Sequence, residues 1–276
     1  MSIISLTSVG TSPGVTSTAI ALTLEWPKPA VLIEADTSKP SSVISGYMRG
    51  SVSAERGMNT LLQVSAFHGL DQTTFWDATL PLVADMESVP ERHNKHVLTA
   101  ISNPEAAEAT VRFWGELTAV LTGLENAGID VIVDLGRWSG TNDPRNSLMA
   151  RSDWVLLCVR QTIQSTAALH ARIETVNKTR SSQGHTGHHS ILGFSPVSGG
   201  HPVNELSRFL GTQATGSIPF SPRWGSVFSD GRLPPTGLHK GAYLQSIRSA
   251  IGSTEKHLQA VKKLLDQTAS EMTHDA

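Results

Sequence analysis

Residues 3–19 read "IISLTSVGTSPGVTSTA", and this stretch decides how the rest of the chain is interpreted. An apolar strand candidate, Ser2–Thr7, leads into a loop with Gly10 and Gly14, and a helix candidate follows at Thr16–Glu25. A strand, a glycine-containing loop and a helix in this order are typical of phosphate-binding loops. In such loops backbone N–H groups and the positive end of the helix hold an anion.

The loop matches only half of the usual pattern G-x-x-x-x-G-K-[ST]. Gly14 fits the second glycine and Thr16 fits the hydroxyl residue that binds Mg²⁺, whereas Val9 and Val15 stand at the first glycine and the lysine. Loop and helix start together form the candidate nucleotide-binding segment, which consists of Thr11, Ser12, Pro13, Gly14, Val15, Thr16 and Ser17.

A dinucleotide-binding loop is the alternative interpretation. Short-chain dehydrogenases need a Tyr-x-x-x-Lys pair for proton transfer, but Tyr47 and Tyr243 are followed four residues later by Ser51 and Ile247. The sequence therefore favours the phosphate loop.

Short apolar runs alternate with helical patterns along the chain. Further strand candidates are Ala30–Glu34, His96–Ile101, Ile129–Asp134, Trp154–Val159, Ser190–Phe194 and Thr215–Ile218. Further helix candidates are Pro104–Asn126, Pro144–Arg151, Ile163–Thr179 and Pro202–Leu210. This alternation predicts an α/β fold, a doubly wound and mostly parallel sheet of about seven strands.

The C-terminal part predicts one long amphipathic helix from about Gly241 to Ser270. Its apolar stripe consists of Leu244, Ile247, Ile251, Leu258, Val261 and Leu265. We expect it to pack on the sheet's outer layer or on a partner helix, with peripheral membrane contact as the alternative. The predicted domains are residues 1–238 and this helical extension, residues 239–276.

Composition limits the function classes. A net charge of -2 gives no overall attraction to nucleic acid. The one cysteine, Cys158, lies in an apolar run and excludes a disulfide within the chain, so we expect a cytoplasmic protein. The histidines of the polar turn, His185, His188 and His189, have no cysteine or carboxylate nearby in sequence, and a solvated loop is favoured over a metal site.

Carboxylates end two of the predicted strands. Glu34 and Asp36 lie at the end of the stretch "VLIEAD". Asp134 ends the apolar strand in "VIVDLG", the form of a Walker B segment. Open α/β sheets bind ligands at the carboxyl ends of their strands, so these side chains and the loop form one predicted site.

With these motifs the chain resembles the MinD/ParA family of deviant Walker ATPases, SIMIBI-class P-loop proteins. It is particularly similar to the atypical MinD-like proteins of actinobacteria and to the CpaE/TadZ branch, where degenerate loops are also found. The resemblance covers most of residues 1–235 and rests on "GTSPGVTSTA", "VLIEAD", "VIVDLG", "WVLLCVR" and "GSIPFSPRWGSVFSDG".

The resemblance implies a sheet that binds ATP, often as a sandwich dimer, and acts as a spatial switch. It assigns Thr16 and Asp134 to Mg²⁺, Asp36 to the orientation of water and Pro219 to the segment near the nucleotide base. The family loop reads K-G-G-V-G-K-T-T, and Gly10 and Val15 stand at its two lysines. The resemblance therefore implies ATP and Mg²⁺ binding that is weak or lost, and little hydrolysis.

The expected function is that of a positioning or partitioning protein with a degenerate nucleotide site. It would organise a protein partner of a partition complex, septum, or pilus or secretion apparatus. A weakly active Mg-ATPase is one alternative, with Lys39, Arg137 or Arg160 as replacement cation. A nonspecific DNA-binding module is another, through a basic face formed by Arg172, Lys178, Arg180, Arg208, Arg223 and Arg232. If the loop is merely degenerate, Val15→Lys should strengthen ATP binding about tenfold.

Overall fold

A computed structural model describes residues 2–10, 14–82, 95–103, 111–182, 188–196 and 198–274. Its centre is a sheet whose strands are β1 Ile3–Ser8, β2 Ala30–Glu34, β3 Leu80–Pro81, β4 Lys95–Leu98, β5 Asp130–Arg137, β6 Trp154–Arg160, β7 His189–Phe194 and β8 Ala214–Ile218. The strand order is β3-β4-β2-β5-β1-β6-β7-β8, and β3 alone among these pairs antiparallel to its neighbour. The predicted fold class, a doubly wound and mostly parallel sheet, is confirmed.

Helices cover both faces of this sheet. They are α1 Val15–Glu25, α2 Met58–Phe67, α3 Gln72–Ala78, α4 Val111–Gly123, α5 Asn146–Arg151, α6 Ile163–His170, α7 Ile173–Ser181, α8 Val203–Leu210, α9 Pro222–Ser229 and α10 Ala242–His274. Helices α1, α9 and α10 bury their apolar side chains against one face, and α2 to α8 do so against the other. Because both faces are buried, the strands are apolar without alternation.

The long C-terminal helix packs on the protein itself. Leu244, Ile247, Ile251 and Leu258 are buried in the same cluster as the apolar residues of α1, and Val261 is partly buried there. The side chain of Leu265, the last residue of the predicted stripe, lies outside the described residues. No helix in the described parts of the chain is long and apolar enough to cross a membrane.

The differences from the sequence-based elements are local. Strand β3 was not predicted, because two residues are too short to give a periodic signal. The predicted helix Ile163–Thr179 is wrong as one element, since a turn at Ala171 and Arg172 divides it into α6 and α7. Of the predicted helix Pro104–Asn126, residues 104–110 lie outside the described residues and α4 begins at Val111.

A buried arginine holds together the strand ends that lead into the site. Arg145 forms a two-bond ion pair with Asp143, with its Nε 2.8 Å and its Nη2 2.6 Å from the carboxylate oxygens. Its remaining donors reach main-chain carbonyls, since Nη1 donates to Ala35 and Leu135 and Nη2 donates to Arg137. These carbonyls lie at the carboxyl ends of β2 and β5, where the ladder between these two strands has ended.

We predict that Arg145→Met lowers the free energy of unfolding by about 3–5 kcal/mol, because it leaves the buried Asp143 carboxylate without its ion-pair partner. Arg112→Met is the matched control, since it breaks an arginine–carboxylate pair whose arginine is 82% exposed and should change stability by less than about 1 kcal/mol. Urea unfolding measures both. Equal losses in the two variants would contradict the structural role of Arg145.

Candidate functional site

The N-terminus of α1 is open. Gly14 precedes the helix with φ 103°, a left-handed conformation that favours glycine, and no side chain of the described residues caps the helix. Its first turn also contains no acidic residue. Because the first backbone N–H groups of a helix have no partner within it, this end is free to bind an anion.

The two positions without lysine are closed by packing. Val15, at the Walker lysine position, is only 5% exposed and belongs to the apolar cluster around α1. A Cβ atom on Gly10 would lie 2.8 Å from the Cβ of Ala168 on α6, so a larger residue there would displace that helix. Thr11, Ser12 and Pro13 lie outside the described residues, whereas Thr16 and Ser17 lie in the first turn of α1.

Asp134 is a buried carboxylate with an unused oxygen. Its Oδ1 accepts a hydrogen bond from the backbone N–H of Gly136 at 2.9 Å, and its Oδ2 has no partner within hydrogen-bonding geometry among the described residues. Burial raises the pKa of Asp134 to about 6, the hydroxyl of Thr16 lowers it, and the charge of Asp36 raises it further. A buried acceptor beside a threonine hydroxyl, with a second carboxylate close by, fits a Mg²⁺ ion.

Asp36 lies two residues after Glu34, which pairs with Asp134 in the register of β2 and β5. Its Oδ1 accepts hydrogen bonds from the backbone N–H and the hydroxyl of Ser38, and its Oδ2 lies 3.7 Å from the ammonium group of Lys39. Gly136 permits this approach, because a Cβ atom there would lie 2.3 Å from the Asp36 Cγ. The structure thus brings Thr16, Asp134 and Asp36 close together.

Glu34 has a structural role beside these two aspartates. It accepts hydrogen bonds from the Ser41 hydroxyl and from the backbone N–H groups of Ser42, Val43 and Ala100. Burial raises its pKa to about 7, and the negative charge of Asp134 raises it further. Glu34 therefore anchors the segment that follows Asp36, and its oxygens are already used by protein donors.

A cavity of about 580 Å³ opens next to the N-terminus of α1. Gly14, Ser17 and Thr18 line this cavity, and so does Pro219, which directly follows β8. The volume is within the range of small-molecule sites. Tyr243 of α10 forms part of the wall and hydrogen-bonds the Thr18 side chain, while burial raises its pKa to about 12.

Sequence reasoning missed Tyr243, because it lies more than two hundred residues after the loop and is part of no motif. The helical stripe at Leu244 and Ile247 gave an indirect signal, since it places the start of α10 against the sheet.

The structure changes the predicted basic face. Arg180 cannot belong to an exposed basic face, because its side chain is buried and donates to the carbonyls of Met149, Ala150 and His188. The described residues contain no cluster that could hold a metal through histidine, cysteine or carboxylate groups alone. His188 stacks on Trp154, and His185 lies outside the described residues.

Solved structures share this fold. MinD from Pyrococcus horikoshii, in complex with Mg-ADP, has a TM-score of 0.65 at 13% identity over 92% of this chain and 96% of its own. A substituted McdA from Cyanothece in complex with ATP has a TM-score of 0.67 at 16% identity, over 92% and 95% of the two chains. A ParA family ATPase from Chlorobium tepidum has a TM-score of 0.65 at 11% identity, over 89% and 96%.

The chain has the fold of the MinD and ParA ATPases. No protein-family model matches its sequence, and no curated protein is significantly similar to it. At these identities the likeness concerns the fold, and function has to be argued from the site itself.

Because Val15 is buried, we expect Val15→Lys to destabilise the protein rather than to strengthen ATP binding. We predict that this substitution lowers the free energy of unfolding by about 3 kcal/mol more than Val15→Met, because it buries a charge among apolar side chains. Methionine has a similar length without the charge and is the control for volume. Thermal melts with and without Mg-ATP measure both effects. A variant as stable as Val15→Met that binds ATP tenfold more tightly would show that the sequence-based expectation was correct.

Asp134→Asn should stabilise the ligand-free protein at pH 8. The pKa of Asp134 is raised in the folded state from 3.8 to about 6, so its contribution to stability is present below pH 4 and is lost as pH rises through 6. Removing the charge should therefore increase the free energy of unfolding at pH 8 by about 2–3 kcal/mol. Urea unfolding at pH 4 and pH 8 tests this, and a variant that is less stable than wild type at pH 8 would contradict it.

Proposed function

We propose that this protein is a nucleotide-dependent positioning protein of the MinD/ParA type, which binds Mg-ATP weakly and hydrolyses it slowly or not at all. The observation that carries the proposal is the unused Oδ2 of Asp134 beside Thr16, next to the open N-terminus of α1. A Mg²⁺ ion bound there would neutralise the carboxylates and bind phosphate oxygens.

The remaining parts of the proposed site fit the same ligand. The phosphates would lie at the α1 N-terminus, where Gly14 and Ser17 line the cavity, and the base would lie towards Pro219. Weak binding and slow turnover follow from the absence of lysine at Gly10 and Val15, since a charge-assisted hydrogen bond contributes about 1.5–3 kcal/mol.

The positioning role rests on analogy of fold and is proposed at that level. A protein partner is supported by an exposed apolar groove between α6 and α8. Ile163 is 73% exposed and Phe209 is 62% exposed at this groove, and Leu206 forms part of its lining. Exposed apolar surface of this kind is typical of sites of protein contact. We do not propose DNA binding, because Arg180 is withdrawn from the predicted basic face.

A second candidate function is that of a working Mg-ATPase, with Asp36 orienting the water. It is favoured by the position of Asp36, whose charge acts on Asp134 while its carboxylate is held by Ser38 and Lys39.

We predict that Mg-ATP binds with a dissociation constant well above the low micromolar range. Asp134→Asn should weaken Mg-dependent binding about tenfold or more, because it removes a charged ligand of the ion. Isothermal titration with ATP, in the presence of Mg²⁺ and then of EDTA, measures this. Glu34→Gln is the control, since Glu34 is equally buried but its oxygens already accept protein hydrogen bonds.

Phosphate release by wild type and Asp36→Asn separates the two candidate functions. A wild-type rate clearly above that of Asp36→Asn would support hydrolysis. Low micromolar binding with ready turnover would overturn the proposal of a weak site, and binding that Mg²⁺ does not affect would overturn the assignment of Asp134.

A further inference from the structure

Both strands that flank β1 in the sheet end in an arginine. Strand β5 ends at Arg137 and strand β6 ends at Arg160, and the phosphate loop follows β1 between them. We propose that these two guanidinium groups supply the positive charge at the phosphates that the loop itself lacks. This inference rests on the proposed nucleotide site and names the residues that would recognise the phosphates.

Arg137 is already in contact with the loop. It pairs with Ser8 in the register of β1 and β5, and its Nη2 donates a hydrogen bond to the carbonyl of Gly10 at 2.5 Å. Its main chain is also held in place, because its carbonyl accepts a hydrogen bond from the buried Arg145. The guanidinium group of Arg137 is therefore held at Gly10 of the loop, and its residue is exposed.

Arg160 lies on the other side of β1. Thr7 pairs with Leu157 in the register of β1 and β6, and Arg160 is the last residue of β6, three residues beyond this pair. Its side chain lines the cavity together with Gly14 and Ser17 of the α1 N-terminus. An anion bound at this helix end would thus have Arg160 on the wall of the same cavity.

The packing of the loop explains why the charge comes from outside it. A lysine at position 10 would collide with Ala168, and the side chain at position 15 is directed into the apolar cluster. Lys39 is the remaining cation that the sequence suggested, and it is paired with Asp36. Guanidinium groups bind phosphate oxygens through two parallel hydrogen bonds. Arginines on the strands next to β1 are therefore suited to this role.

The experiment compares Arg137→Gln, Arg160→Gln and the double variant by isothermal titration with Mg-ATP. Each single substitution should weaken ATP binding about tenfold and the double substitution about a hundredfold. Arg172→Gln is the matched control, because Arg172 donates to the main-chain carbonyl of Ser139 rather than to that of Gly10 in the loop, and it does not line the cavity. It should bind ATP as the wild type does.

Titration with adenosine separates phosphate recognition from a structural role. Adenosine has no phosphates, so its affinity should be equal in wild type and all three arginine variants, whereas a distorted site would lose both ligands. Wild-type protein that binds no ATP would overturn the proposed function and this inference together. Wild-type protein that binds ATP while both single variants and the double variant bind it within twofold of the wild type would overturn the inference alone.

Discussion

The ion pair between Arg145 and Asp143 is the interaction on which the site depends. Parallel strands end with carbonyl groups that have lost their sheet partners, and a buried carbonyl needs a donor. Arg145 supplies donors to the carbonyls of Ala35, Leu135 and Arg137, so one side chain fixes the ends of two neighbouring strands. Asp36 follows the first of these carbonyls directly, and Asp134 precedes the second. The spacing of the two carboxylates is therefore set from within the core.

The same region stores unfavourable electrostatic energy. The pKa of Asp134 is raised to about 6 and that of Glu34 to about 7, in both cases mainly by burial. The charge of Asp36 also raises the pKa of Asp134, and the charge of Asp134 raises that of Glu34. Glu34 accepts several hydrogen bonds from the protein, whereas one oxygen of Asp134 has no hydrogen-bond partner among the described residues. Functional sites commonly hold groups that destabilise the ligand-free fold, because the ligand removes the penalty.

The sequence predicted the architecture well, and the reason is physical. Seven apolar runs, each buried on both faces, predicted seven strands, and Asp36 and Asp134 lie together because parallel strands end at one edge. The packing of Gly10 against Ala168 was not predictable, since it joins the loop to a helix that begins more than one hundred and fifty residues later. Tyr243 was missed for the same reason, because it reaches the cavity from the last helix. Local patterns predict elements, whereas contacts between distant elements depend on the assembled sheet.

The packing around the loop leaves no room for the two lysines that the loop lacks. Val15 is packed into the core and Gly10 lies against α6, so a single substitution at either position does not restore the usual loop. At the same time no side chain of the described residues caps the α1 N-terminus, and the cavity beside it has a volume of about 580 Å³. A site that had only lost its ligand would gain stability from a capping side chain at α1 and from an uncharged residue at position 134. The proposed phosphate would stabilise the open helix end, and the proposed Mg²⁺ would stabilise the buried charge of Asp134.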